Sequence, residues 1–192
     1  MERDLLEQKI QLCQMGSADA FAWMLEEYGP RLYGYFFRTT GSPGAADDLV
    51  QELFVRLLEK IGEYRHEGRF EHWLFRIAAN LTRDYFRRQK KTPVFFSVLE
   101  KAKENSQWPE ELAGSESGTE SPMERQEQMD LLQKALQQLS DLDRQIILAR
   151  HYSQLSFDQL ARQFQLPIGT VLSKVHRGLK LLKRILTENE KE

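Results

Sequence analysis

Cysteine is almost missing from this chain. Cys13 stands alone among 192 residues, so there is no internal disulfide and no cysteine-based zinc site. Long apolar runs are missing too: no stretch approaches the roughly 18 residues that a membrane span requires. The N-terminal MERDLLEQKI is charged and has no signal-peptide core, so a cytoplasmic protein without membrane insertion is expected. The four histidines, His66, His72, His151 and His176, show no metal-ligand spacing. Asp47 and Asp48 lie near Glu52 on one helical stretch, but no His/Cys or carboxylate constellation converges on them. No metal, no cofactor and no enzyme activity are expected. Strand alternation is absent as well, and almost every periodic stretch has helical spacing.

An excess of one charge sign is lacking. With 27 Lys and Arg against 29 Asp and Glu, the formal net charge is -2, which argues against strong unaided binding to bulk DNA. The charge is nevertheless segregated. Between Gln159 and Thr187 stand Arg162, Lys174, Arg177, Lys180, Lys183 and Arg184, with no carboxylate among them. Between Glu100 and Glu127 eight glutamates face only Lys101, Lys103 and Arg125. Together with a second basic stretch ending at Lys91, this pattern suggests a polyanion contacted at two places.

That second stretch, RFEHWLFRIAANLTRDYFRRQKK from Arg69 to Lys91, organises the first half of the chain. Phe70, Trp73, Leu74, Ile77, Ala78, Leu81 and Tyr85 recur at the spacing of a helix packed on a core. At about 100° per residue, Arg69, His72, Arg76, Asn80, Arg83 and Arg87 fall along the opposite face. A ridge of guanidinium and amide groups suits phosphate oxygens and base edges; a merely solvated basic face is the alternative. Upstream, Ser17 can cap a helix through Phe21, Leu25 and Tyr28, which Gly29-Pro30 is expected to interrupt or kink. Ser42 with Pro43 opens another helix to about Ile61, with Asp47 and Asp48 near the positive end of its dipole. Leu49, Val50, Leu53, Phe54, Leu57, Leu58 and Ile61 are predicted inside. Asp48, Gln51, Glu52, Val55 and Glu59 form a narrow outer stripe. Val55 hints at a protein partner, although one exposed apolar residue is ordinary.

Thr92-Pro93 ends the helical pattern. Residues 93–121, rich in Glu, Ser and Gly, read as a flexible acidic linker with a short helix around Val98–Lys103 and a relaxed reach of roughly 30 Å. Three capping signals punctuate the remainder: Ser121-Pro122-Met123-Glu124, Ser140-Asp141-Leu142-Asp143 and Ser156-Phe157-Asp158-Gln159. After the break Gln165-Leu166-Pro167 comes a last helix, IGTVLSKVHRGLKLLKRIL. Two short helices with a tight connection, the second basic, describe a helix-turn-helix. Ile168, Val171, Val175, Leu179 and Leu182 are predicted inward, with Thr170, Ser173, Lys174, Arg177, Lys180 and Arg184 outward. The fold class is therefore all-α, with two small helical domains, 1–92 and 122–192, joined by the linker.

Ordered in one chain, AADDLVQELFVRLLEK, RFEHWLFRIAANLTRDYFRR and LSFDQLARQFQLPIGTVLSKVHRGLKLLKR resemble bacterial RNA polymerase sigma factors of the extracytoplasmic-function group. The resemblance covers most of the chain apart from the linker and the extreme ends. It implies a transcription initiation factor whose partners are core RNA polymerase, promoter DNA and an anti-sigma factor. Asp48, Gln51, Glu52 and Val55 match the segment that docks on polymerase. Tyr64, Arg65, His66, Arg76, Asn80, Arg83, Arg87 and Arg88 match the part that reads the melted -10 element. Thr170, Ser173, Lys174, Arg177 and Lys180 match the region that contacts the -35 duplex. Leu172 and Lys174 depart from the basic residue and arginine common there, so the usual -35 preference does not carry over. A stand-alone helix-turn-helix regulator with a dimerising N-terminal domain is the competing reading.

Overall fold

A computed structural model describes residues 2–91 and 122–189; the predicted linker, its short helix and the capping residue Ser121 lie outside the described residues. Eight α-helices and no strand occur among the described residues. The first group comprises α1 (Glu2–Gln14), α2 (Ala18–Thr40), α3 (Pro43–Lys60) and α4 (Phe70–Lys91), with a short 3-10 turn, Ile61–Glu63, after α3. The second comprises α5 (Pro122–Gln137), α6 (Asp141–Ser153), α7 (Phe157–Phe164) and α8 (Ile168–Asn189). No helix among them is long and apolar enough to cross a membrane.

Local chemistry sets the helix starts and stops. Ser17, Ser42 and Ser140 each accept a backbone N–H of the first turn with their hydroxyls, satisfying donors that a helix start leaves orphaned. Ser156 and Gln159 close a reciprocal capping box at 3.2 and 2.7 Å. Asp47 and Asp48 fall beyond the first turn of α3. Gly41, at φ 76°, ends α2 by donating its N–H to Phe37 O at 2.8 Å, a left-handed conformation that glycine adopts without penalty.

Gly29-Pro30 does not interrupt α2, which runs unbroken through both residues. Proline removes one N–H from the ladder, and the carbonyl so freed belongs to Glu26, an exposed residue that water can reach. Either side of the proline, Met24, Tyr28, Leu32, Tyr33, Tyr35 and Phe36 are buried, and that burial holds the helix across the lost bond. Leu25, expected in this stripe, is half turned out and Met24 takes its place.

The two helical groups pack against each other, and one buried cluster runs through both. Helix α4 accounts for this. The predicted face buries Phe70, Leu74, Ile77, Ala78 and Leu81, with Trp73 and Tyr85 half-buried. A second stripe that periodicity did not single out, Phe75, Ala79, Thr82 and Phe86, is buried too; from it Phe75 reaches Tyr152 of α6 as well as Tyr35 of α2, and Phe86 lies beside Arg144 of α6. Only a narrow basic face is left.

Three predicted inward residues turn out to be exposed. Leu58 is 53% exposed, Ile168 48% and Leu179 51%. On α8 the stripe against the core is Val171, Val175, Gly178, Leu182 and Ile185, alternating steps of four and three. Leu179 lies about 80° away from the centre of that line.

At Gly178 helix α8 leaves room for side chains of α6 and the residues before it. A Cβ there would sit 2.3 Å from Ile147 Cδ1 and 3.5 Å from Leu139 Cδ2. Gly178→Val is expected to destabilise the C-terminal helices by about 1–3 kcal/mol through overpacking, measured by denaturant unfolding followed by circular dichroism.

Candidate nucleic-acid interface

The acidic stripe of α3 lies at the surface with an apolar centre. Asp48, Gln51 and Glu59 are exposed, and Val55 at 54% is joined by the misplaced Leu58. The two are three residues apart, adjacent on one helical face. Glu52 is committed to neighbours: its carboxylate accepts from Arg56 at 2.7 Å and from Arg88, across on α4, at 3.4 Å. The free surface of this stripe is therefore more apolar than its sequence indicates. Leu58 could have been found by counting three residues on from Val55.

The loop before α4 is anchored at its root. Gln14 Nε2 donates to Ile61 O at 3.0 Å and to Tyr64 O at 2.7 Å. The Tyr64 ring lies 4.6 Å from Trp73 and 5.5 Å from Phe70, and burial followed by the nearby Glu67 pushes its phenol pKa up. Tyr64 thus packs into an aromatic cluster, with its hydroxyl 3.5 Å from His66 Nδ1. Arg65 is exposed and His66 half-buried. Gly68, at φ 71°, makes the turn that delivers Arg69 and Phe70 to the start of α4.

Along α4 the predicted ridge exists but is unevenly available. Arg76 is exposed and Asn80 half-buried. Arg83 Nη1 donates to the backbone carbonyl of Gln163 in α7. Arg87 pairs with Asp84 at 3.3 Å, and Arg88 with Glu52. These ion pairs are largely solvated and worth little net free energy, about 0–1 kcal/mol each.

The outer face of α8 presents Ile168, Gly169, Leu172, Ser173, His176, Arg177 and Lys180 to solvent. Thr170 is half-buried, with its N–H on Pro167 O at 2.9 Å. Arg177 Nε rests on Ser173 O at 3.3 Å. Lys174 is the exception among the predicted readers: its ammonium donates to Asp143 at 2.7 Å, the two side chains only 19% and 27% exposed. His176, a lone imidazole with no metal spacing in the sequence, sits beside Arg177 on the open face. Farther along, Arg177, Lys180, Lys183 and Arg184 surround a shallow surface depression with Leu181 and Thr187; its walls are largely their aliphatic stems, and the charged ends are what could meet a phosphate backbone.

Residues 24–92 match the family model for Sigma-70 region 2, and residues 129–182 match that for Sigma-70, region 4. The chain is 28% identical over 185 residues to the ECF RNA polymerase sigma factor SigW of Bacillus subtilis, covering 96% of this chain and 98% of that one. It is 29% identical over 177 residues to the RNA polymerase sigma factor CarQ of Myxococcus xanthus, covering 92% and 95%. Its fold resembles that of the sigma factor RpoE solved in complex with the anti-sigma factor NepR from Bartonella quintana. The TM-score there is 0.59 at 20% identity, covering 87% of this chain and 96% of that one.

Releasing Lys174 from its carboxylate offers a direct check on the α8 face. Asp143→Ala is expected to steepen the salt dependence of duplex DNA binding by about one unit of log–log slope, since the freed ammonium can neutralise one further phosphate. Anisotropy titrations across a salt series measure this slope.

Proposed function

This chain belongs to the sigma-70 family, in its extracytoplasmic-function group, and from that membership we propose that it directs core RNA polymerase to promoters through two DNA-reading faces. The observation that carries this reading is the ordered pair of matched regions, each displaying a basic helical face on its own group of helices. The outer face of α8 enters the major groove of the -35 element, its N-terminal turns over base edges and its later cations on phosphates. Thr170, Ser173, Arg177 and Lys180 act there, joined by Leu172 and His176. Lys174 acts from its pair with Asp143.

The α4 face and the loop before it hold the opened -10 strand. Arg65, His66, Arg76, Asn80, Arg83, Arg87 and Arg88 meet backbone and bases, while Tyr64 stiffens the loop from within its aromatic cluster. No bond is made or broken by the chain. It offsets the few kcal/mol that unstacking a base costs. The α3 stripe of Asp48, Gln51, Val55 and Leu58 docks on polymerase, with Glu52 supporting it from the α3–α4 contact. Tethering to polymerase places a weak DNA reader at high local concentration on the promoter, which reconciles the work with a net charge of -2.

Its place of action is the cytoplasm, with polymerase. By analogy with the relative solved bound to an anti-sigma factor, such a protein is the expected inhibitor. A stand-alone regulator is disfavoured, since sigma factors match this chain nearly end to end.

The test is run-off transcription with core polymerase on a genomic promoter library: new start sites are expected only when the chain is added, and their absence removes the reading. Asp48→Arg with Val55→Asp is expected to lower core affinity at least tenfold, about 1.4 kcal/mol, in a co-sedimentation titration, with unchanged helical content. Arg177→Ala is expected to weaken duplex binding by about 1–3 kcal/mol with relaxed sequence discrimination if it reads a guanine, and by less, uniformly, if it meets phosphate. A binding series over single-base variants of the site separates the two.

A further inference from the structure

The outer face of α8 is divided between an apolar end and a basic end. Arg, Asn and Gln read guanine and adenine by paired hydrogen bonds, and none of them stands between Ile168 and His176. Lys174, the one cation in that stretch, is held by Asp143 at 2.7 Å. Thr170 is half-buried and Ser173 exposed, and a hydroxyl bonds either kind of base pair, so it discriminates weakly. What the first two turns present outward is Ile168 at 48% and Leu172 at 44% exposure. Gly169, between them in the chain, adds no side chain, although a Cβ there would meet no atom of the protein within 4 Å. Bare backbone at that point lets the helix come close to an external surface.

The two ends face the same way. At about 100° per residue, Leu172, His176 and Lys183 fall within about 40° of one line, and Ile168 lies about 40° from Leu172. Lys183 is roughly 16 Å farther along the axis than Leu172, grouped with Arg177, Lys180 and Arg184. Those cations select a polyanion as the occupant of the whole face. In a duplex laid against them, the apolar turns reach the major groove. The apolar group that a base edge presents there is the C5-methyl of thymine.

We propose that Ile168 and Leu172 determine what α8 selects, by reading thymine C5-methyl groups, so that the duplex element of this chain carries T·A pairs under the first two turns. The inference rests on the proposed function, which puts α8 in the major groove, and adds the chemistry that the helix recognises there. Taking one methyl out of water against an aliphatic side chain strengthens binding about fourfold, the equivalent of roughly 0.8 kcal/mol. Discrimination then comes from shape and burial rather than from paired hydrogen bonds.

The test uses a duplex chosen by the protein itself. The full-length chain bound to core polymerase selects from duplexes with about twenty randomised base pairs, roughly two helical turns. Each thymine of the recovered element is then replaced in turn by deoxyuridine, which keeps every hydrogen-bonding group and removes only the methyl. At one or more positions this exchange is expected to weaken binding about fourfold. Leu172→Ala and Ile168→Ala are each expected to bind the thymine and deoxyuridine forms alike at the position that residue reads. Both side chains are exposed, so helical content by circular dichroism is expected to be unchanged. Deoxyuridine tolerated at every position without loss overturns the proposal. A methyl effect that persists in full in both variants overturns its assignment to Ile168 and Leu172. If the chain and polymerase together enrich no duplex, the proposed function itself fails, and this inference falls with it.

Discussion

Burial of helix α4 on two of its sides is the constraint from which the rest follows. Phe70, Leu74, Ile77 and Leu81 are buried on one side; on the other, Phe75 meets both Tyr35 of α2 and Tyr152 of α6, and Phe86 lies beside Arg144 of α6. Each fully buried large apolar side chain is worth about 1.5–3 kcal/mol over its exposed state, so rotating α4 about its axis would forfeit several such terms. The rotation is thereby fixed, and with it the direction in which Arg76, Asn80 and Arg83 point. Thr82 takes its place in that wall without an orphaned hydroxyl by bonding Ala78 O at 2.9 Å.

The cations follow a common arrangement. Arg88 with Glu52, Arg87 with Asp84, Lys174 with Asp143 and Arg83 with the Gln163 carbonyl are each engaged inside the protein. The Arg87 and Arg88 pairs, with arginines 69% and 62% exposed, contribute little to stability, so exchanging their carboxylates for a phosphate costs little. A chain with nearly balanced charge can keep its basic faces quiet in solution and still offer them to a polyanion brought close by another protein. Arg144 differs from these. Burial lowers its pKa, with Asp141 opposing, and its side chain, 4% exposed, is a structural member bound to Gln137 at 2.6 Å and Asp141 at 3.0 Å.

Much of the local architecture was legible in the sequence because it depends on neighbours a few residues apart. Serine hydroxyls reach N–H groups three positions on, so Ser17, Ser42, Ser140 and Ser156 could be read as caps. The helix-turn-helix was legible for the same reason. Facing was less so. Leu58, Ile168 and Leu179 lie beside the true stripes, and hydrophobicity alone does not say which of two adjacent apolar lines meets the core. Pro30 illustrates the same limit: its local cost is plain, but the aromatic packing on both sides that carries α2 through it comes from other helices.

What the sequence determined by itself was most of the helices, though not α1, the serine caps, the segregation of charge and the order of the two basic segments, all consequences of short-range hydrogen bonding and of composition. Only the tertiary structure decided which cations are engaged, that Tyr64 packs inward, and that the two domains share a seam at Tyr152 and Gln163. Those outcomes depend on side chains such as Arg83 and Gln163, eighty positions apart in the chain, and no periodicity reports on a partner at that distance.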